Sequence, residues 1–336
     1  MSLNQFQHYT AKDFVKAIEQ GHITSLSKAI SIIESTAEKH QILAQEILEG
    51  CLPLSGKSIR IGVTGVPGVG KSTFIEAFGK FLTNNNHKVA VLTIDPSSNL
   101  IKGSILGDKT RMVELSTDPN AFIRPTPSGD ALGGVAHKTR EAIILCEAAG
   151  FDIIIIETVG VGQNEIAVHS MVDFFLLLSL AGAGDELQGI KRGIIEMADV
   201  FVYNKDEEQN SANIRIAKAD LERALHLFPA KENGWNPKVL TCSALYKTGI
   251  EAIWGIILAY KNLTQANGFW ESKRTQQYEF WFDDALKTNL LNMFHHNKEI
   301  KKAISNYKNQ LQNQLISPIK ASKELIDIFA KNIQKN

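Results

Sequence analysis

The 336-residue chain has no excess charge of either sign, because lysine plus arginine and aspartate plus glutamate each total 36. No overall field therefore draws it to a polyanion or an anionic bilayer, and neither nucleic acid nor a membrane is expected as a partner. Cysteine is scarce. Cys51, Cys146 and Cys242 are odd in number, far apart and each set among apolar neighbours, a pattern of buried reduced thiols that excludes a disulfide framework. No C-x-x-C pair is present, and the only adjacent histidines, His295 and His296, sit in a polar stretch, so a cysteine or histidine metal cluster is not expected. Long apolar runs are missing too: Phe174 to Ala183 stops after about ten residues, where about 20 are needed to span a bilayer. The opening MSLNQFQHYTAKDF lacks a basic region followed by an apolar block, and the first arginine is Arg60, so no leader is expected and the expected location is cytoplasmic. Internal repeats and low-complexity linkers are absent.

What is present is a recurring short apolar run, each followed by a turn and a helical stretch. The runs are IRIGVTG ending at Gly65, KVAVLTIDP (88–96), FDIIIIET (151–158), FFLLLSL (174–180), DVFVYNK (199–205) and KVLTCSA (238–244). Continuous rather than alternating hydrophobicity predicts strands covered on both faces, hence an α/β fold with a mostly parallel sheet between helix layers. Ligands of such sheets sit at the carboxyl ends of the strands. Thr10 to Asp13 can cap a first helix, and Leu26, Ala29, Ile30 and Ile33 form the apolar stripe of another. Beyond about residue 262, Leu286, Leu290, Met293 and Phe294 make one helical stripe, Ile300, Ile304, Tyr307 and Leu311 a second, and Pro318 precedes a last segment with Leu325, Ile328 and Phe329. The expected division is an N-terminal helical extension (1–57), a nucleotide-binding domain (58–262) and a C-terminal helical region (263–336) that buries its stripes by dimerisation.

The chemistry starts at GVPGVGKS, the eight residues Gly65, Val66, Pro67, Gly68, Val69, Gly70, Lys71 and Ser72, which fit G-x-x-x-x-G-K-[ST] between an apolar strand and a helical stretch from Thr73 to Leu82. In that P-loop the glycines turn backbone N–H groups toward phosphates, the helix N-terminus adds a favourable dipole, Lys71 reaches the outer phosphates, Ser72 can ligate magnesium, and Thr73 beside it also meets the nucleotide. Two strands end in carboxylates, Asp95 and Glu157. The second opens Glu-Thr-Val-Gly, where P-loop hydrolases place a metal-holding acid and, at Gly160, a glycine that senses the terminal phosphate. Asn204-Lys205 and Ser243-Ala244-Leu245 close the last two strands and look like purine-reading elements. There asparagine and lysine frame the base, Glu207 faces the guanine N1–H and amino group in a charge-assisted pair, and the Ser-Ala turn offers a backbone N–H. The residues thus describe a magnesium-dependent GTP hydrolase with GTP and GDP as ligands.

Longer blocks, spread over roughly residues 20–280, carry a resemblance. GVTGVPGVGKST, DPSSNLIKGSILGDKTRM, RPTPSGDALGGVAHKTREA, ETVGVGQNE and AGDELQGIKRGIIEMAD resemble the MeaB/ArgK/MMAA family, the methylmalonyl-CoA mutase-associated GTPases. The resemblance implies a homodimeric GTPase that serves as chaperone to an adenosylcobalamin-dependent mutase. It also implies that Asp108 joins Ser72, Asp95 and Glu157 as a magnesium-site residue, that Asp95 to Met112 is a switch loop, and that Ala183 to Lys191 couples nucleotide state to the mutase through Asp185, Gln188 and Lys191. Gln163 is a candidate for orienting the attacking water. One departure stands out: the family reads N-K-A-D where this chain has Asn204-Lys205-Asp206-Glu207, a glutamate one methylene longer at the guanine-reading position. Two alternatives remain open at this point: a transport-associated kinase or ATPase of the ArgK type, for which no phosphoacceptor is marked, and a metal-insertion GTPase, whose histidine-rich tract is absent.

Overall fold

A computed structural model describes residues 9–35, 37–95, 112–127, 132–158, 165–181 and 192–333. The apolar runs fold as the strands β1 Ile59–Gly65, β2 Val89–Asp95, β4 Ile153–Thr158, β5 Phe174–Ser179, β6 Val200–Tyr203 and β7 Lys238–Thr241, joined by a seventh, β3 Ala121–Pro127. They form one sheet in the order β3-β2-β4-β1-β5-β6-β7. Every pair is parallel, with Ile61 beside Ile155 on one side and Phe174 on the other. The patterning predicts six of the seven. β3 escapes it because Arg124, Pro125 and Pro127 interrupt its hydrophobicity, and a strand with prolines is tolerated because it lies at the sheet edge.

The helices are α1 Ala11–Glu19, α2 Ile23–Glu34, α3 Glu38–Cys51, α4 Lys71–Asn84, α5 Val113–Ser116, α6 Leu132–Ala148, α7 Glu165–His169, α8 Arg192–Met197, α9 Ser211–Leu225, α10 Ile250–Ala266, α11 Phe269–His296, α12 Lys298–Gln312 and α13 Pro318–Ile333. The expected cap is in place at α1, where Thr10 N donates to Asp13 Oδ2 at 2.9 Å and Asp13 N to Thr10 Oγ1 at 3.4 Å. Leu26, Ala29, Ile30 and Ile33 of α2 are buried, and α2 packs on α3 and α6. All three cysteines are buried and free. Burial pushes the Cys51 and Cys242 thiols up to about 12, leaving them protonated and unreactive at neutral pH.

The chain splits into two compact units within α11, Met1–Gln277 and Tyr278–Asn336. The first contains the whole sheet. In the second, Phe294 meets Phe329 edge-on with ring centroids 5.2 Å apart, and Tyr307 Oη donates to Glu324 Oε2 at 2.6 Å. Ile300 is buried, whereas Leu286, Leu290 and Met293 are about half exposed, so part of the α11 stripe remains open to water. No helix among the described residues is long and apolar enough to cross a membrane.

Candidate nucleotide site

The sheet order places β1 between β4 and β5 at the middle of the sheet, and the loop after β1 therefore emerges at the centre of the carboxyl edge. Glycine is required there for two separate reasons. Gly65 and Gly70 have φ of 152° and 93°, and a Cβ at Gly65 would lie 2.4 Å from Leu178 O while one at Gly70 would lie 2.9 Å from Asn204 Nδ2. With Gly68 at φ 81°, the loop alternates hand in the manner of backbone cradles that bind anions. Lys71 opens α4, and its Nζ donates back to Gly65 O at 2.7 Å, with Val66 O at 3.4 Å. Burial draws this ammonium below the usual lysine range, opposed by the nearby carboxylates of Glu157 and Glu165. A lysine so held is poised to exchange carbonyls for phosphate oxygens, since an outer phosphate supplies the counter-charge that burial withholds.

Glu157 is the penultimate residue of the buried strand β4 and is 4% exposed. Ser72 Oγ donates to its Oε1 at 3.3 Å, which brings together two of the four expected magnesium-holding groups. Hydroxyl and carboxylate oxygens are the hard donors this cation takes, so the pair fits the ion. Thr158 Oγ1 donates to Thr64 Oγ1 at 2.9 Å and locks the ends of β4 and β1 together beneath them. Among the described residues no group of three or more histidine, cysteine, aspartate or glutamate side chains stands ready for a metal. The Asp95 side chain, Asp108, Gly160, Gln163, Asp185, Gln188 and Lys191 lie outside the described residues.

The elements expected to read the base converge on the same loop. Asn204 is 2% exposed; its Nδ2 donates to Val69 O at 2.9 Å, and its Oδ1 accepts from Ala244 N at 3.1 Å and from Cys242 Sγ at 3.5 Å. Lys205, with φ 62°, donates from Nζ to Gly68 O at 3.1 Å. Asparagine and lysine therefore fasten the P-loop, a bridge over more than 130 residues of sequence that motif spacing does not disclose. The Glu207 carboxylate faces the turn after β7, where Ser243 Oγ lies 3.5 Å from Oε1 and Gln209 Nε2 donates to Oε2 at 3.2 Å. Leu245 is exposed beside it. Thr73, also expected to meet the ligand, follows Ser72 on α4 and is exposed.

Glu165 has no role in the sequence reading. It is buried at the start of α7, which packs against β1 and β4, and its charge acts on Lys71. An acid in the first turn of a helix reads from sequence as an ordinary favourable dipole contact, so nothing singled it out.

A family model described as methylmalonyl Co-A mutase-associated GTPase MeaB matches residues 26–299. The GTPase ArgK of Escherichia coli (strain K12) is 44% identical over 320 residues, covering 95% of this chain and 97% of that protein. The mitochondrial methylmalonic aciduria type A homolog of Mus musculus is 43% identical over 320 residues, covering 92% of this chain and 77% of that protein. Among solved structures, the crystal structure of LAO/AO transport system kinase is similar at a TM-score of 0.76 and 37% identity, covering 96% of this chain and 99% of that one.

Proposed function

This chain belongs to the MeaB family of methylmalonyl-CoA mutase-associated GTPases and is a GTPase, and on that premise we propose that it hydrolyses GTP with magnesium as chaperone to an adenosylcobalamin-dependent acyl-CoA mutase. The observation that carries the hydrolytic half is the meeting of Lys71, Ser72 and Glu157 around one glycine cradle. Water attacks the terminal phosphate in line with the departing oxygen. Lys71 leaves the Gly65 carbonyl for the outer phosphates and neutralises charge that grows in the transition state. The loop amides from Val66 to Thr73 hold the phosphates in register. Ser72 and Glu157 would hold magnesium, with Asp95 and Asp108 completing the set; the ion would supply further charge neutralisation. Gly160 would report the terminal phosphate, and Lys191 would couple nucleotide state to the mutase.

The base is read by Asn204, Lys205, Glu207, Ser243, Ala244 and Leu245 in this proposal. Glu207 keeps the charge that pairs with guanine, but its extra methylene loosens the two-point geometry. The parent is expected to favour GTP over ATP, and Glu207→Asp to widen that preference about fivefold, the factor that about 1 kcal/mol of better hydrogen bonding provides. Titrating both nucleotides against both proteins measures it; equal affinity for ATP and GTP in the parent would sink the guanine assignment.

The partner half is supported by the family description and by the mouse relative. Adding the mutase is expected to raise GTP turnover and to change the affinity for a nonhydrolysable GTP analogue about 5- to 150-fold, the usual range of coupling between binding sites, and by linkage the analogue should change mutase affinity by that same factor. A mutase that binds without altering nucleotide affinity or turnover refutes the coupling. Phosphate appearing on protein rather than in solution would instead favour the kinase activity named for the solved relative. We further assign the half-exposed Leu286, Leu290 and Met293 to a homodimer contact, which sedimentation as a monomer at micromolar concentration would contradict.

A further inference from the structure

The turn after β7 contains a lysine that the nucleotide chemistry does not use. Lys247 adopts a left-handed conformation, φ 58°, uncommon for a residue with a long side chain. The turn around it is closed: Ser243 N donates to Thr248 O at 3.2 Å, Thr248 N to Ser243 O at 3.1 Å, and Tyr246 N to Ser243 Oγ at 3.2 Å. Two residues on, Gly249 has φ 76°, and a Cβ there would lie 2.4 Å from Thr241 O, so the backbone cannot easily slide. A strained conformation of this kind persists where its surroundings determine it.

At Lys247 a partner on another element is part of those surroundings. Its Nζ lies 3.1 Å from Glu114 Oε2 on α5. That short helix is fastened in turn to α4. Glu114 N donates to Glu76 Oε1 at 2.6 Å, and Leu115 N lies 3.3 Å from both Glu76 oxygens. Leu115 is fully buried over Gly79, where a Cβ would lie 2.6 Å from its Cδ2. Just past α5, Asp118 accepts from Lys80 and, at 2.8 Å, from Thr83. Glu76, Gly79, Lys80 and Thr83 all belong to the helix that begins with Lys71 and Ser72.

We propose that Lys247 is a positioning residue for base recognition, its ion pair with Glu114 holding the 243–249 turn in register with the helix that carries Lys71 and Ser72. Base and phosphates are then read in one frame although they are bound by elements far apart in the chain. The proposal rests on the guanine reading above and requires neither Lys247 nor Glu114 to touch the nucleotide. Both side chains are more than half exposed, at 54% and 60%, so the pair is weak and its loss should change affinity about two- to fivefold rather than abolish binding. The effect should shrink as salt screens the pair.

The test measures affinity for GDP and for inorganic tripolyphosphate, a probe of the phosphate site that has no base, in the parent, Lys247→Gly, Glu114→Ala and the charge-swapped Lys247→Glu/Glu114→Lys protein. Glycine at 247 removes the ion pair and the backbone strain together, so a loss of affinity there cannot come from strain. Each single variant should weaken GDP two- to fivefold and leave tripolyphosphate unchanged, and the swapped pair should recover most of the loss. Weakening by Lys247→Gly but not by Glu114→Ala would mean that the lysine contacts the nucleotide directly, and overturns the proposal. So would unchanged GDP affinity in both single variants, or an equal loss for tripolyphosphate. A parent that binds ATP as tightly as GTP fails the guanine reading itself, and the proposal falls with it.

Discussion

Lys71→Ala should lower GTP turnover by at least about 10²- to 10³-fold, the usual loss when a single preorganised charge or donor facing a transition state is removed. The side chain fills no core position: its ammonium spends the ligand-free state on the carbonyls of Gly65 and Val66, at 2.7 and 3.4 Å. Alanine at the first position of α4 costs no helix propensity, so the thermal midpoint should stay within a few degrees of the parent. Lys71→Arg should not restore the rate, because a planar fork cannot replace a compact ammonium inside the glycine cradle. Steady-state hydrolysis, paired with thermal unfolding of the same preparations, decides the matter. Parental turnover in Lys71→Ala would show that the glycine loop is not the catalytic cradle.

Arg274→Ala should destabilise the first unit by about 3–5 kcal/mol, the cost of leaving a buried carboxylate without its partner. Arg274, near the start of α11, donates from Nε to Asp173 Oδ1 at 2.9 Å, from Nη2 to Asp173 Oδ2 at 2.7 Å and to Ser58 O at 2.6 Å, and from Nη1 to Gly56 O. Asp173 is 1% exposed and also accepts from Arg60 N at 2.8 Å, so one guanidinium ties the starts of β1 and β5 together. Arg60, itself fully buried, makes a two-point pair with Glu147 at 2.9 and 3.0 Å. Burial by itself would raise the Asp173 carboxyl, yet the hydrogen bonds and charge of Arg274, with those of Arg60, hold it below the usual carboxylate range. Such a group contributes stability above its unfolded value of about 4 and loses it as pH falls through the lower folded value. The difference between parent and Arg274→Ala should therefore be largest at neutral pH and shrink as pH falls from about 4 toward the lower folded value, where Asp173 takes up its proton and no longer needs the cation. Urea unfolding at pH 7 and pH 3.5 checks both parts. A loss under 1 kcal/mol at pH 7, or one that does not diminish in acid, would show that the cluster is a solvated contact.

Local chemistry was legible in the sequence wherever a residue acts with its neighbours in the chain. Continuous β-branched and leucine runs specified strands buried on both faces, GVPGVGKS specified the cradle, and Thr10 with Asp13 specified a helix cap, because each depends on spacing within a few residues. The edge strand β3 was hidden for the complementary reason: its place at the rim, not its own pattern, makes Pro125 and Pro127 acceptable. Pairings between distant segments were decided only by the tertiary structure. Ser72 meets Glu157, Asn204 meets Val69, Lys247 meets Glu114 and Arg274 meets Asp173 because the fold brings segments from far apart in the chain side by side, the first two pairs at the carboxyl ends of the strands and the last where β1 and β5 begin. Any charged or amide side chain in these segments satisfies the local pattern equally well. Which of them become partners depends on sheet order and burial, and there a lost partner costs far more than any local propensity can signal.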